Sequence, residues 1–211
     1  MARILIADDH AVVRAGVRRI LEGHPSFEIV AETADGKTTI NKAIETKPDV
    51  ILLDYSLPVI NGLEVTRQVR RRLPGTEVLL FTVHDSESTI EEALQNGARG
   101  YLLKTDAARD LIEAITRVAA HRPFFTNKVT ENLLRNFVSR PQQRPMSTLT
   151  SRERMVVQLI AEGHSSKQVA KVLQVGLKTV ETHRRSIMLK LNLSSSAALV
   201  RYAVRNKLVE P

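Results

Sequence analysis

Apolar and polar positions alternate along the first 120 residues in two recurring rhythms. Short runs rich in Ile, Val, Leu and Phe occupy 3–7, 28–32, 50–54, 77–82 and 100–103, and amphipathic stretches begin near Ala11, Gly36, Gly62, Ser86 and Ala107. The short runs have strand length and the longer ones carry apolar residues at helical spacing, so the pattern predicts five βα units. Such alternation implies a parallel sheet covered by helices on both faces, with right-handed crossovers. Ligands in these sheets sit beyond the carboxyl ends of the strands, which directs attention to polar residues that follow the apolar runs. They are Asp8 and Asp9, Asp54, Thr82 and Lys104. Any one of them reads equally well as a helix cap or a solvated loop charge; the convergence of all of them is the signal.

The rhythm changes after residue 120. The stretch 127–137 predicts a short helix, and Pro141 to Pro145, with Gln and Arg between, predicts a linker that cannot hold one. Beyond it strand-like runs stop and helix starts recur. Thr150-Ser-Arg-Glu153 and Ser165-Ser-Lys-Gln168 have capping-box spacing, and Gly163 suits a helix stop. Four helices are expected, near 151–162, 166–173, 177–191 and 195–206. The chain therefore divides into an α/β domain over 1–120, a partly helical linker over 121–146 and an all-α domain over 147–211.

Charge sharpens this division. The chain carries 31 Lys and Arg against 23 Asp and Glu, yet 1–120 has 15 basic against 18 acidic residues, while 121–146 has 5 against 1 and 147–211 has 11 against 4. A basic module joined to a mildly acidic one points to a polyanion, most simply nucleic acid, as partner of the C-terminal part alone. The absence of cysteine excludes a disulfide framework and thiolate metal sites, and fits a reducing, cytoplasmic setting. The first residues turn acidic at Asp8 before a signal region develops, and no apolar run has the length of a membrane span, so a soluble, unprocessed chain without a membrane partner is expected.

A strand-end aspartate becomes a useful phosphoryl acceptor when a divalent cation neutralises carboxylate and phosphate together. Mg²⁺ (or Mn²⁺) takes one or two carboxylates plus phosphate oxygens and water. Asp8 and Asp9 can supply carboxylates, the Thr82 hydroxyl can bond a phosphoryl oxygen, and Lys104 can neutralise another.

The motifs Ile-Ala-Asp8-Asp9-His10, Leu-Leu-Asp54-Tyr-Ser-Leu-Pro58 with Gly62, Leu-Leu-Phe-Thr82 and Gly-Tyr101-Leu-Leu-Lys104 together resemble the receiver domain of two-component response regulators. The resemblance implies a five-stranded flavodoxin-like sheet of order 2-1-3-4-5. It implies Asp54 as the nucleophile toward a phosphohistidine of a sensor histidine kinase. Asp9, Asp54 and the Ser56 carbonyl would ligate the metal, Asp8 would reach it through water, and Thr82 and Tyr101 would act as the switch pair. Ser56 and His84 match positions that tune phosphoryl lifetime. Thr105 stands where many receivers have proline, and the resemblance suggests a cis peptide after Lys104, at a cost of about 3–4 kcal/mol without proline.

In the basic part, the segment from Lys178 to Leu191 has an apolar face of Val180, Ile187 and Leu191 and a polar stripe of Lys178, Glu181, Thr182 and Arg185. A solvated face would look the same; the short helix expected before it favours a helix-turn-helix. Leu149-Thr-Ser-Arg-Glu153, Leu159-Ile-Ala-Glu-Gly163 and Thr179-Val-Glu-Thr-His-Arg184 resemble the LuxR-type helix-turn-helix. That resemblance implies double-stranded DNA as ligand, with Glu181, Thr182 and Arg185 facing bases and Lys178, Thr179, His183 and Arg184 mainly holding phosphates.

Both parts in this order resemble the NarL/FixJ group of transcriptional response regulators, which implies a homodimer when phosphorylated. Enzymatic activity would then be limited to metal-dependent self-phosphorylation from a phosphodonor and slow self-dephosphorylation. Two other readings stay open: an aspartate-based phosphatase, which would have an acid where Ser56 stands, and a DNA-binding protein whose first domain no longer responds to phosphate.

Overall fold

The strands of the first part are buried on both faces because helices cover both sides of the sheet. In this computed structural model, which describes residues 1–126, 129–130, 149–206 and 208–209, β3 (Val50–Leu53), β4 (Glu77–Thr82) and β5 (Gly100–Leu103) are buried at every position. With β1 (Ala2–Ala7) and β2 (Phe27–Thr33) they form a parallel sheet in the order β2-β1-β3-β4-β5. Alternate residues feed two cores, as the two-residue period of a strand requires. Ile4, Ile6, Val50, Leu52, Leu79, Phe81 and Leu102 pack against α1 (Ala11–Glu22) and α5 (Ala107–Ala119) through Val17, Leu21, Leu111 and Ile115. Leu5, Ile51, Leu53, Val78, Leu80, Tyr101 and Leu103 face α2 (Gly36–Thr46), α3 (Gly62–Arg72) and α4 (Glu87–Gln95) through Ile40, Ala43, Leu63, Val69 and Ile90.

Chain order reverses direction between β1 and β3, since β2 lies on one side of β1 and every later strand on the other. Loops leaving β1 and β3 therefore part at their carboxyl ends and leave a crevice there. Gly62 closes the β3 loop onto the strand end. A Cβ at this position would lie 2.3 Å from the Asp54 carbonyl oxygen and 2.9 Å from Tyr55 Cα, so only glycine allows the approach.

The expected strand order holds and gains a sixth member. After α5, His121 takes a left-handed φ of 56° and the chain turns back so that β6 (Phe124–Phe125) pairs in parallel with β5, Gly100 opposite Phe124 and Tyr101 opposite Phe125. This strand falls in the stretch expected as linker. Opposite the crevice, at the start of β4, the carboxylate of Glu77 is buried among two arginines and a histidine ring. Arg70 lies 2.9 Å away, Arg99 3.1 Å and the ring of His121 2.9 Å. Burial by itself would raise the Glu77 pKa, but these partners outweigh it and the net shift is downward. The helix expected over 127–137 and the Pro141 to Pro145 stretch lie outside the described residues, apart from Val129 and Thr130.

The chain divides into two compact units, Met1–Pro141 and Gln142–Pro211. The described residues of the second form four helices joined by short turns: α6 (Ser151–Ala161), α7 (Ser166–Leu173), α8 (Leu177–Lys190) and α9 (Ser196–Arg205). Both expected capping boxes form, Thr150 with Glu153 and Ser165 with Gln168, and Gly163 has the positive φ of 88° expected of a helix stop. Val156, Val157, Leu159, Val169, Leu173, Val180, Ile187, Leu199 and Ala203 are among the buried apolar residues of this unit.

One expectation is corrected. No described peptide bond is cis, and the chain passes Lys104 in a short 3₁₀ turn over Lys104–Asp106 that the Ala107 amide closes onto the Lys104 carbonyl. Without proline the cis form costs about 3–4 kcal/mol, and the lysine reaches its partners from the trans backbone.

Candidate functional site

Asp8 follows β1, Asp54 follows β3, and Lys104 follows β5, so three strand ends converge on the crevice. Lys104 Nζ lies 2.7 Å from Asp54 Oδ2 and 2.7 Å from Asp8 Oδ2, bridging two buried carboxylates. The Asp54 amide bonds the Ala7 carbonyl at 2.8 Å, which extends the β1–β3 pairing to Asp54 itself. Burial pushes the Asp54 carboxyl up; the Lys104 ammonium opposes this and the Asp8 charge adds to it, leaving a net rise. Burial would lower the Lys104 pKa, but Asp54 and Asp8 outweigh it and the ammonium is held charged.

Asp9 and His10 complete the rim. His10 Nδ1 is 2.7 Å from Asp9 Oδ1 and 3.4 Å from Asp8 Oδ1, and the His10 amide donates to Asp8 Oδ1 at 2.9 Å. Asp8, Asp9, His10 and Asp54 each offer one ligand atom, all within 4.8 Å of one another. Asp8 Oδ2, although in ion-pair contact with Lys104, is buried and has no well-aligned hydrogen bond among the described residues. Hard carboxylate oxygens with spare lone pairs at one point fit Mg²⁺.

Thr82, Ser56 and Tyr101 all meet at His84. The Thr82 hydroxyl is fully buried and accepts the His84 amide at 3.2 Å. Ser56 Oγ is 2.8 Å from His84 Nε2, while the Ser56 amide faces Asp54 Oδ1 at 3.4 Å. Tyr101, 1% exposed, donates its hydroxyl to the His84 carbonyl at 2.8 Å, and burial pushes its pKa up. His84 thus joins three residues singled out in the sequence, and His10 stands among the acids; both histidines lie in the sequence motifs, but their contacts arise from the fold.

In the second unit, α8 presents Lys178, Thr179, Glu181, Thr182 and Arg185 to solvent and buries Val180 and Ile187; Leu191, just past its end, is half-buried. His183 and Arg184 are half-buried on its flank. Arg184 donates to Ser166 Oγ at 2.8 Å and Ser196 Oγ at 3.1 Å, and so ties the first turns of α7 and α9 to α8. Sequence reasoning reads Glu153 as a capping residue only. In the fold its buried carboxylate also accepts Ser186 Oγ at 2.9 Å and Lys190 Nζ at 2.7 Å, which pins α8 to α6. Burial opposes ionisation here, but Lys190, the Thr150 amide and Ser186 prevail and hold the Glu153 carboxyl down at about 2.

The family description "Response regulator receiver domain" matches residues 4–116, and "Bacterial regulatory proteins, luxR family" matches 147–203. The chain belongs to the response regulators that join a receiver domain to a LuxR-type DNA-binding domain, and it is a phosphorylation-controlled regulator of transcription. It is similar to "Oxygen regulatory protein NreC" of Staphylococcus epidermidis, 39% identical over 99% of this chain and 99% of that protein. The NreC of Staphylococcus aureus is 40% identical at the same coverage. Among solved structures, RcsB from Salmonella enterica serovar Typhimurium, bound to promoter rprA in the presence of phosphomimetic BeF3-, matches with a TM-score of 0.69 and 25% identity over 95% of this chain and 97% of that one. The response regulator ChrA, of a heme-sensing two-component system, matches with a TM-score of 0.54 and 33% identity over 99% and 98%. Among the described residues no helix is long and apolar enough to cross a membrane.

Proposed function

We propose that Asp54 is the phosphoryl acceptor of this regulator and that α8 is its DNA-reading helix. An Asp54 carboxylate oxygen attacks the phosphorus of a phosphohistidine on a partner kinase; the P–O bond forms, the P–N bond breaks, and the imidazole leaves. Asp8, Asp9, Asp54 and the Ser56 carbonyl would hold Mg²⁺ or Mn²⁺, which when bound supplies neutralisation of the phosphoryl oxygens. Lys104 covers a further oxygen from the opposite side, and Thr82 bonds another by giving up its contact with the His84 amide. Water attack on phosphorus later cleaves the same P–O bond and restores the carboxylate. The observation that carries this reading is the single ammonium of Lys104 bridging Asp8 and Asp54 across the crevice, because a site built to neutralise two carboxylates can neutralise a phosphoryl group.

Residues 147–211 bind double-stranded DNA, with Glu181, Thr182 and Arg185 reading bases and Lys178, Thr179, His183 and Arg184 holding phosphates. RcsB, two dimers of which have been described on two parallel DNAs, supports a paired state on DNA, and a phosphorylated homodimer in the cytoplasm is the working form for this chain. Intact-mass measurement after incubation with Mg²⁺ and a small phosphodonor tests the receiver half. A single phosphoryl adduct is expected, absent in Asp54→Asn; an undiminished adduct in that variant moves the acceptor elsewhere, and donor turnover without an adduct points to a phosphatase.

A further inference from the structure

We infer that β6 and Val129, the described anchors of the chain leaving α5, form a strap that reads the state of the phosphoacceptor site and passes it onward. The inference rests on the receiver reading above. It begins from the second edge of β5, which β6 occupies: Tyr101 has Leu80 as its partner on one side and Phe125 on the other. The Tyr101 hydroxyl bonds the His84 carbonyl, and the His84 amide bonds Thr82 Oγ1. A continuous path of two hydrogen bonds and one strand pairing thus joins Thr82 to Phe125.

Packing follows the same path. Val129, fully buried, belongs to the same core cluster as Tyr101, Leu103, Ile90 and Ala93, and Phe125 packs against that cluster. A change in the space the Tyr101 ring fills is therefore felt where the strap is anchored. The close approach is written into the sequence at Gly100, where a Cβ would lie 2.8 Å from Leu79 Cδ1 and 3.0 Å from the Phe124 carbonyl oxygen.

The strap is also poised to move. Two residue pairs give it little pairing energy of its own. Thr126, 4% exposed, buries a hydroxyl oxygen that has no partner among the described residues, a cost that another arrangement can relieve. A weakly paired element anchored at the switch residue needs only a modest differential interaction to change its population.

Hydrogen–deuterium exchange on the full chain with Mg²⁺, with and without beryllofluoride, tests this. In the wild type the amides of 82–86 respond, and those of 122–126 are expected to change with them by about fivefold or more, the lower end of ordinary site-to-site coupling. In Tyr101→Leu the response at 82–86 persists and that at 122–126 is lost. Val129→Ala provides an independent arm: by reciprocity, loosening the strap shifts the beryllofluoride concentration giving half response at 82–86. A wild-type response at 82–86 with 122–126 unchanged overturns the inference and leaves the receiver reading intact. An unshifted half-point in Val129→Ala also overturns it. No response at 82–86 removes the receiver reading itself, and the inference with it.

Discussion

Replacing Glu153 by Gln should loosen α8, the helix proposed to read DNA, without changing any residue that it is proposed to use. The wild-type carboxylate accepts Lys190 Nζ at 2.7 Å, Ser186 Oγ at 2.9 Å and the Thr150 amide at 2.8 Å. Gln keeps the size and one acceptor but removes the charge that Lys190 meets. A hydrogen bond to a charged group contributes about 1.5–3 kcal/mol, and because Lys190 is 39% exposed, solvent screening lowers this to about 1–2 kcal/mol. Amide exchange along α8, measured in the full chain, should accelerate by roughly 5–30-fold at neutral pH. The pH dependence carries the sharper test. The folded pKa of Glu153 lies below its ordinary value of 4.5, at about 2, so its stabilisation is present above 4.5 and is lost as pH falls through the folded value. The gap between wild type and Glu153→Gln should therefore narrow between those two values. A gap under about threefold at neutral pH, or one that stays constant down to pH 2, would refute the reasoning.

Three further outcomes follow from the same geometry. Lys104→Met removes the cation shared by the buried carboxylates Asp8 and Asp54 and should cost about 3–5 kcal/mol in chemical denaturation without metal, whereas Asp54→Asn, which leaves Lys104 paired with Asp8, should cost less than about 1 kcal/mol. Equal losses would mean that the ammonium is not the bridge between the acids. Arg185→Ala should weaken specific DNA binding by about 1–3 kcal/mol and non-specific binding far less, read by competition titrations; an equal loss on both reduces it to a phosphate contact. Gly62→Ala forces a methyl group to within 2.3 Å of the Asp54 carbonyl oxygen and should cost about 1–3 kcal/mol in denaturant melts while lowering the yield of phosphoryl adduct; full stability with full labelling contradicts the tight approach.

Much of this architecture is legible in the sequence because it depends on local rules. Apolar runs such as 50–53 announce buried strands, and the polar residue after each run falls on the same rim, so Asp8, Asp54 and Lys104 are found without coordinates. The two capping boxes are equally local. What escapes the sequence is pairing over distance. Phe124 and Phe125 show no period in a two-residue strand, and only the β5 edge makes them one. Glu153 satisfies a local capping pattern, which hides its bond to Lys190, 37 positions later. Arg184 reads as a phosphate ligand, yet two serines from neighbouring helices hold it in the fold. His10 and His84 lie in the motifs, but nothing in spacing says that one ring meets Asp9 and the other Ser56.

The Glu77 cluster sets a rule for anyone splicing this receiver onto another effector. Its acid comes from the start of β4, and its partners come from α3, from the residue before β5 and from His121, just past the end of α5. A junction placed at residue 120 would keep the acid and discard His121, and one placed within β4 or α4 would import an unmatched set of charges from the donor. Hybrid proteins should keep Arg70, Glu77, Arg99 and His121 from one parent, and natural recombination within this segment faces the same restriction.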